Sequence, residues 1–207
     1  MQKYNKSTDD DNVEAASHYE KAIYYSCKMM EAKIQTLSYI NNINKISDTE
    51  FSYTEIHKLI LKIVKIYKSI FDERNIHIAI SNSFFKIYTH FNAISIIPHA
   101  IIDNALKYSP ENSTFNISFD EDEHNIIIRF ESLGPKILSD EKNKIFEPAV
   151  RGKYAQKVSH EGLGFGLYAA ALIADKLNSS IAVEQFEEDI IHKNYYKTVF
   201  TVSFFKI

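Results

Sequence analysis

"EGLGFGLYAAALIADKL", residues 161–177, sets three of the chain's five glycines at alternate positions directly ahead of a helix-forming run. The other two, Gly134 and Gly152, stand shortly upstream, so every glycine of the 207 residues lies between 134 and 166. Glycine weakens helices and strands, and it is placed where the backbone takes positive φ or approaches a ligand closely. One region of this chain therefore has a backbone requirement that the rest lacks. Glycines running into a helix N-terminus suit an anion, because free N–H groups and the helix dipole both favour phosphate. Alone the motif is weak, since an ordinary flexible loop reads the same. It has no Gly-Lys-Ser/Thr of a P-loop, and it does not follow a first strand as a dinucleotide site would.

Composition narrows the rest. Hydrophobic residues at 45% and aromatics at 13% suffice for a packed core and exclude bulk disorder. A net charge of −3 carries no basic footprint, which argues against nucleic acid as the main partner. One cysteine, Cys27, excludes an internal disulfide framework and fits a reducing, cytoplasmic compartment. No stretch approaches the ~18 apolar residues of a membrane span. The polar start "MQKYNKSTDDDN" reads as a flexible N-terminus over residues 1–12, not as a signal peptide.

From Val13 to Ile43 there is no Pro or Gly, and Ile23, Cys27, Met30, Ile34 and Leu37 recur at four- and three-residue steps. That is a heptad-like seam on a long helix. Asn41 and Asn44 occupy the next seam positions, so the strict pattern stops at Leu37. Two uses fit the stripe: packing on the chain's own domain, or a helical dimer interface. The expectation carried forward is a homodimer through this segment, residues 13–48.

"SYTE" (52–55) has the spacing of a capping box, Ser52 with Glu55, and predicts a second helix with Ile56, Leu59, Ile60, Ile63, Ile66, Tyr67 and Ile70 as its apolar face. "NIHIAIS" (75–81) and "FKIYTH" (85–90) alternate like strands, and "ISIIPHAIIDNALKYSP" (94–110) reads as a helix ended by Ser109-Pro110. "STFNISFD" and "NIIIRFES" predict a hairpin around an acidic turn, and "SIAVEQF" and "KTVFTVSFF" two closing strands. The order predicts an α+β sandwich: a mixed, largely antiparallel sheet with helices on one face, preceded by the long helix.

Three further segments give the glycines a context. "DNALKYSP" (103–110) puts Asn104, Lys107 and Tyr108 on one helix face. "FESLGPKI" (130–137) is a strand running into a Gly-Pro turn, and "IFEPAVRG" (145–152) opens a long loop with Arg151. In order and spacing these segments, with "GLGFGL", resemble the ATP-binding domain of sensor histidine kinases over residues 49–207. That family shares the Bergerat fold with gyrase, a heat-shock chaperone and mismatch-repair ATPases.

The resemblance implies ATP and Mg²⁺ as cofactors. Asn104 would hold the metal ion, Lys107 would meet the phosphates and Tyr108 would wall the nucleotide pocket. Residues 147–161 would form a lid, with Arg151 as a clamp on the triphosphate. The backbone of Gly162, Leu163, Gly164, Gly166 and Leu167 would approach the phosphates. Ser132 and Gly134 would lie at the adenine end, where the family's turn reads Asp-x-Gly-x-Gly. Here Ser132 replaces the carboxylate and Lys136 the second glycine. Exchanging a charged for a neutral hydrogen-bond partner costs about 1 kcal/mol, a several-fold loss of affinity.

Two more departures bear on chemistry. Ala100 stands one helical turn before Asn104, where gyrase-type ATPases place a glutamate and many histidine kinases an asparagine. Adjacent residues do not share a helix face, so His99 is not expected to replace it. The family's phosphoacceptor motif is absent. His18 has neither an acidic neighbour nor a following Pro, and it is read as a surface residue. The implied partners are a response regulator or a separate histidine phosphoacceptor protein. A module that binds without catalysis is the competing reading.

Overall fold

The computed structural model describes residue 13 and residues 16–47, 50–187 and 194–206. The predicted flexible segment 1–12 lies outside them. The predicted long helix is shorter than Val13–Ile43: α1 runs His18–Asn41. Its capping box lies where none was read, with Glu20 N–H donating to the Ser17 hydroxyl and the Ser17 N–H to the Glu20 carboxylate. A 3₁₀ turn, Ile43–Lys45, follows.

The Ser52–Glu55 spacing does not cap a helix. Residues Phe51–Glu55 form strand β1, and α2 (Ile56–Glu73) begins at Glu55 without a side-chain cap. Pairing decided this outcome: β1 runs antiparallel to β3 (Lys86–His90), from Phe51 opposite His90 to Glu55 opposite Lys86. The predicted apolar face of α2 is buried at Ile56, Leu59, Ile60, Ile63 and Tyr67. Val64 and Phe71 join it, whereas Ile66 and Ile70 are only partly buried.

After β2 (His77–Ile80) and β3, the short α3 (Phe91–Ile94) and α4 (Ile96–Tyr108) divide the predicted 94–110 helix at Ser95. The hairpin is β4 (Thr114–Glu121) with β5 (Asn125–Pro135). A one-turn helix α5 (Ala155–Val158), α6 (Gly166–Lys176), β6 (Ser179–Glu187) and β7 (Tyr195–Phe205) complete the described chain. The main sheet has the order β2-β4-β5-β7-β6, parallel only between β2 and β4.

Alternation on β5 buries Ile126, Ile128, Phe130 and Ser132 against the helix layer. Phe71, Phe115 and Phe130 stack through that layer at centroid spacings of 5.6 and 6.5 Å. The sandwich with helices on one face is the predicted fold. The Gly-Pro turn is a correction: β5 continues through Gly134 and Pro135, paired with Tyr196 and Tyr195. Glycine scarcity elsewhere has a local explanation. Asn75, Asn112, Asn178 and Asn194 take the positive-φ positions, which asparagine tolerates better than other side chains.

The seam on α1 does not pack on its own domain. Ile23, Met30, Ile34 and Leu37 are 53–67% exposed and Cys27 is exposed, whereas Met29, Ala32, Tyr39 and Ile40 meet the core. One helix thus carries two apolar stripes, and only one is covered.

Candidate functional site

α4 ends one wall of a cavity of about 380 Å³. Its buried face (Ile101, Ile102, Ala105, Leu106) fixes its rotation, which turns Asn104, Lys107 and Tyr108 toward the cavity. The helix stops at Ser109, extended at ψ 141°. Arg74 closes its free carbonyls, donating to Leu106 O and, at 2.7 Å, to Ser109 O. Lys107 Nζ is held by the Asp103 carboxylate one turn earlier. Its charge therefore stays at the cavity wall instead of swinging into solvent.

Above Lys107 lies the glycine turn. Gly162 has φ +98°, and a Cβ there would stand 3.6 Å from Lys107 Nζ. Gly164 has φ +76°, and a Cβ would come within 2.7 Å of Val150 O and 2.8 Å of Ala149 C. Glycine is thus required by conformation and by space where the turn crosses the lid. Ala149 itself sits at φ +61°, a strained position for a residue with a Cβ. α6 starts at Gly166 with no side-chain cap, so its first-turn N–H groups are left for another acceptor. Leu163 and Leu167 complete this edge of the cavity.

The lid is folded onto its own backbone. Arg151 donates to Ser159 O at 2.6 Å, Tyr108 Oη at 3.2 Å, Gly162 O at 3.3 Å and His160 O at 3.4 Å. The guanidinium fastens lid to wall, and a role on a triphosphate requires it to exchange these partners. Glu141, which the sequence reading missed, holds the base of the lid by accepting from Leu138 N–H at 3.0 Å and Lys153 N–H at 2.9 Å.

The floor is β5 and β7. Ser132 faces Thr198 across the strands, and Gly134 leaves room for the Thr198 hydroxyl, which a Cβ would approach to 3.0 Å. Gln185 donates to Thr198 Oγ1 and Pro135 O, both at 2.8 Å, and accepts from Ile137 N–H at 2.7 Å. Thr198 and Gln185 were also missed. Only the strand register, which brings residues 53 or more positions apart within reach of Ser132, reveals them.

All of the predicted positions, Asn104, Lys107, Tyr108, Ser132, Gly134, Arg151, Gly162, Leu163, Gly164, Gly166 and Leu167, line this one cavity. His99 and Ala100 both line it too, although neighbours on a helix point apart, because the cavity extends under α1 to Ala32, Lys33 and Thr36. The His99 Nδ1 lies 3.0 Å from Tyr67 Oη. Burial pushes the His99 imidazole down to about 4 despite the opposing Asp103 and Glu31 carboxylates, so it is neutral at pH 7. Burial, and next the Asp103 charge, push the Tyr67 hydroxyl up. Among the described residues no cluster of three His, Cys, Asp or Glu could hold a metal ion. Among them, too, no helix is long and apolar enough to cross a membrane.

A helix-faced mixed sheet with a glycine turn beside an Asn-Lys-Tyr helix on one cavity defines an ATP-binding domain of the Bergerat class. The chain belongs to the histidine kinase-, DNA gyrase B- and HSP90-like ATPase family, whose model matches residues 93–206. It is 28% identical over 133 residues to the histidine protein kinase SaeS of Staphylococcus aureus (strain USA300), covering 62% of this chain and 38% of that one. The chain therefore spans well under half the length of the curated relatives it matches. The catalytic domain of histidine kinase ThkA superposes with a TM-score of 0.64 at 21% identity, over 76% of this chain and 96% of that one. ThkA in complex with the response regulator protein TrrA matches with a TM-score of 0.56 at 18% identity, over 76% and 42% of the two chains.

Proposed function

We propose that the chain is the ATP-binding catalytic region of a histidine-kinase-like two-component signalling protein, transferring the γ-phosphoryl of ATP to a histidine. The observation that carries this reading is the convergence of Asn104, Lys107 and the glycine turn on one cavity. Each group suits a step. The Lys107 ammonium offsets phosphate charge, and the N–H groups of the glycine turn and α6 donate to phosphate oxygens. One amide oxygen completed by phosphate and water oxygens suits Mg²⁺, which keeps most of its own shell, so Asn104 holds the ion on this reading. Phosphoryl transfer then rests on positioning and charge neutralisation rather than on a protein base, which is compatible with Ala100.

The acceptor histidine is assigned to another helix or another protein, because exposed His18 stands at the first turn of α1, away from the cavity. Residues 13–48 are the dimerising helical segment and residues 49–207 the ATP-binding domain. The solved complex of ThkA with a response regulator supports a partner of that kind. Ala100 and Ser132 favour a second reading, a docking module that binds without turnover.

Binding of a fluorescent ATP analogue with and without Mg²⁺ tests the site. Asn104→Ala is expected to abolish the Mg²⁺-dependent part of the affinity while leaving the circular dichroism unchanged. Equal affinity with and without Mg²⁺ in the parent protein overturns the assignment. Labelled Mg²⁺-ATP should leave no acid-labile label on His18, and a label lost in His18→Gln contradicts this.

A further inference from the structure

The floor of the cavity carries the polar groups that a base would meet, and none of them is a carboxylate. On the reading proposed above, the phosphates lie at the end lined by Lys107 and the glycine turn, which leaves the base to β5 and β7. The polar side chains there are the cross-strand pair Ser132 and Thr198. The Thr198 hydroxyl is committed, donating to Tyr196 O at 3.3 Å and accepting from Gln185 Nε2 at 2.8 Å. One lone pair remains, so toward a ligand Thr198 only accepts. Gln185 is occupied by Pro135 O and Ile137 N–H, and it cannot turn toward a base without releasing the end of β5. The Ser132 hydroxyl lines the cavity, and no hydrogen bond within the described chain engages it.

A carboxylate only accepts, so a site built on one holds a 6-amino group and rejects a 6-oxo group. A hydroxyl rotates and serves as donor or acceptor. With Ser132 adaptable and Thr198 accepting, the pair can meet either purine edge. For a 6-aminopurine, Ser132 accepts from the amino group, in the place a carboxylate would take. For a 6-oxopurine, Ser132 donates to the oxygen while Thr198 accepts from the N1–H. We propose that this site takes 6-amino and 6-oxo purine nucleoside triphosphates alike, ATP and GTP both, and that Ser132 is the residue that relaxes the choice. On this reading a pyrimidine, one ring shorter than a purine, does not reach Ser132 and Thr198 from the phosphate end, so the remaining specificity is for a purine.

Calorimetric titration of the intact chain with Mg²⁺ and ATP, GTP, ITP or CTP decides it. The expected result is a Kd for GTP and ITP within about tenfold of that for ATP, with CTP weaker than all three. Ser132→Asp is expected to open the ITP-to-ATP ratio by at least about tenfold, by tightening ATP and weakening ITP. Ser132→Ala, which needs no buried charge to be accommodated, should weaken ATP and ITP by similar factors and leave the ratio unmoved. A wild-type preference for ATP above tenfold overturns the proposal and leaves the ATP-binding reading intact. So does a Ser132→Ala loss confined to ATP, or CTP binding as tightly as the purines. Failure of every triphosphate to bind overturns both.

Discussion

Gly164 shows how much one backbone position controls here. Its φ of +76° already disfavours a side chain, and a Cβ would also strike Val150 O at 2.7 Å. The left-handed conformation costs about 1–2 kcal/mol, and the clash adds to it by pushing the lid away from the turn. Gly164→Ala should therefore lower the thermal midpoint by several degrees and speed protease cleavage within residues 150–162. An unchanged midpoint and cleavage rate would show that the lid does not depend on this contact. Asn104→Ala tests the opposite kind of residue, one whose side chain is proposed to meet the ligand and carries little of the fold.

His99 makes a second prediction at this scale. Its folded pKa, about 4, lies below the ordinary 6.5 of histidine. Between those values the unfolded chain binds more protons than the native one, so stability rises with pH. The contribution is fully present above pH 6.5 and is lost as pH falls to 4, about 3 kcal/mol in all. His99→Asn keeps a polar partner for Tyr67 but does not titrate. Urea unfolding of the variant should show a shallower loss of stability between pH 6.5 and 4 than the parent, and parallel profiles would refute the assignment.

Among the elements, α1 is the one whose surface is incompletely used. Its inner stripe meets the core at Met29, Ala32, Tyr39 and Ile40, while Ile23, Cys27, Met30, Ile34 and Leu37 face outward. An outward apolar stripe of this length on a helix fits an interface with a second copy. Ile23→Asp combined with Ile34→Asp should give monomers in sedimentation at high micromolar concentration. The thermal midpoint of the monomer should stay unchanged, because both positions are about two-thirds exposed. A parent chain that sediments as a monomer at that concentration would remove the dimer. β1 shows the other side of element formation. Ser52 and Glu55 have the spacing of a cap, but five ladder pairs with β3 outweigh a capping contribution of roughly 1 kcal/mol.

At the scale of the whole molecule, α1 and the sandwich share one cavity, since Ala32, Lys33 and Thr36 lie under the same opening as His99 and Ala100. Removing residues before Phe51 deletes the apolar contacts that Met29, Tyr39, Ile40, Ile43 and Ile46 make with the core. That loss is worth about 2–4 kcal/mol, so the shortened chain should melt roughly 5–10 °C lower. Nucleotide binding should survive, because Lys107, Asn104 and the glycine turn all lie beyond Phe51. An identical midpoint would mean that α1 does not pack on the domain.

The clustering of glycines, the Asn104-Lys107-Tyr108 spacing and the alternation on β4 and β5 were determined by the sequence itself. Each is a local pattern with a physical cause: a positive φ at Gly162 and Gly164, a helical repeat or a two-residue pleat. Tertiary structure decided what depends on partners far along the chain. Residues 51–55 became a strand because β3 was there to pair with them. Of the two apolar stripes on α1, the one centred on Ala32 was covered because α2, α4 and α6 pack against that side. Gly134 and Pro135 stayed in β5 because β7 continues opposite them. Thr198, Gln185 and Glu141 entered the site through register and loop closure, which no local spacing encodes.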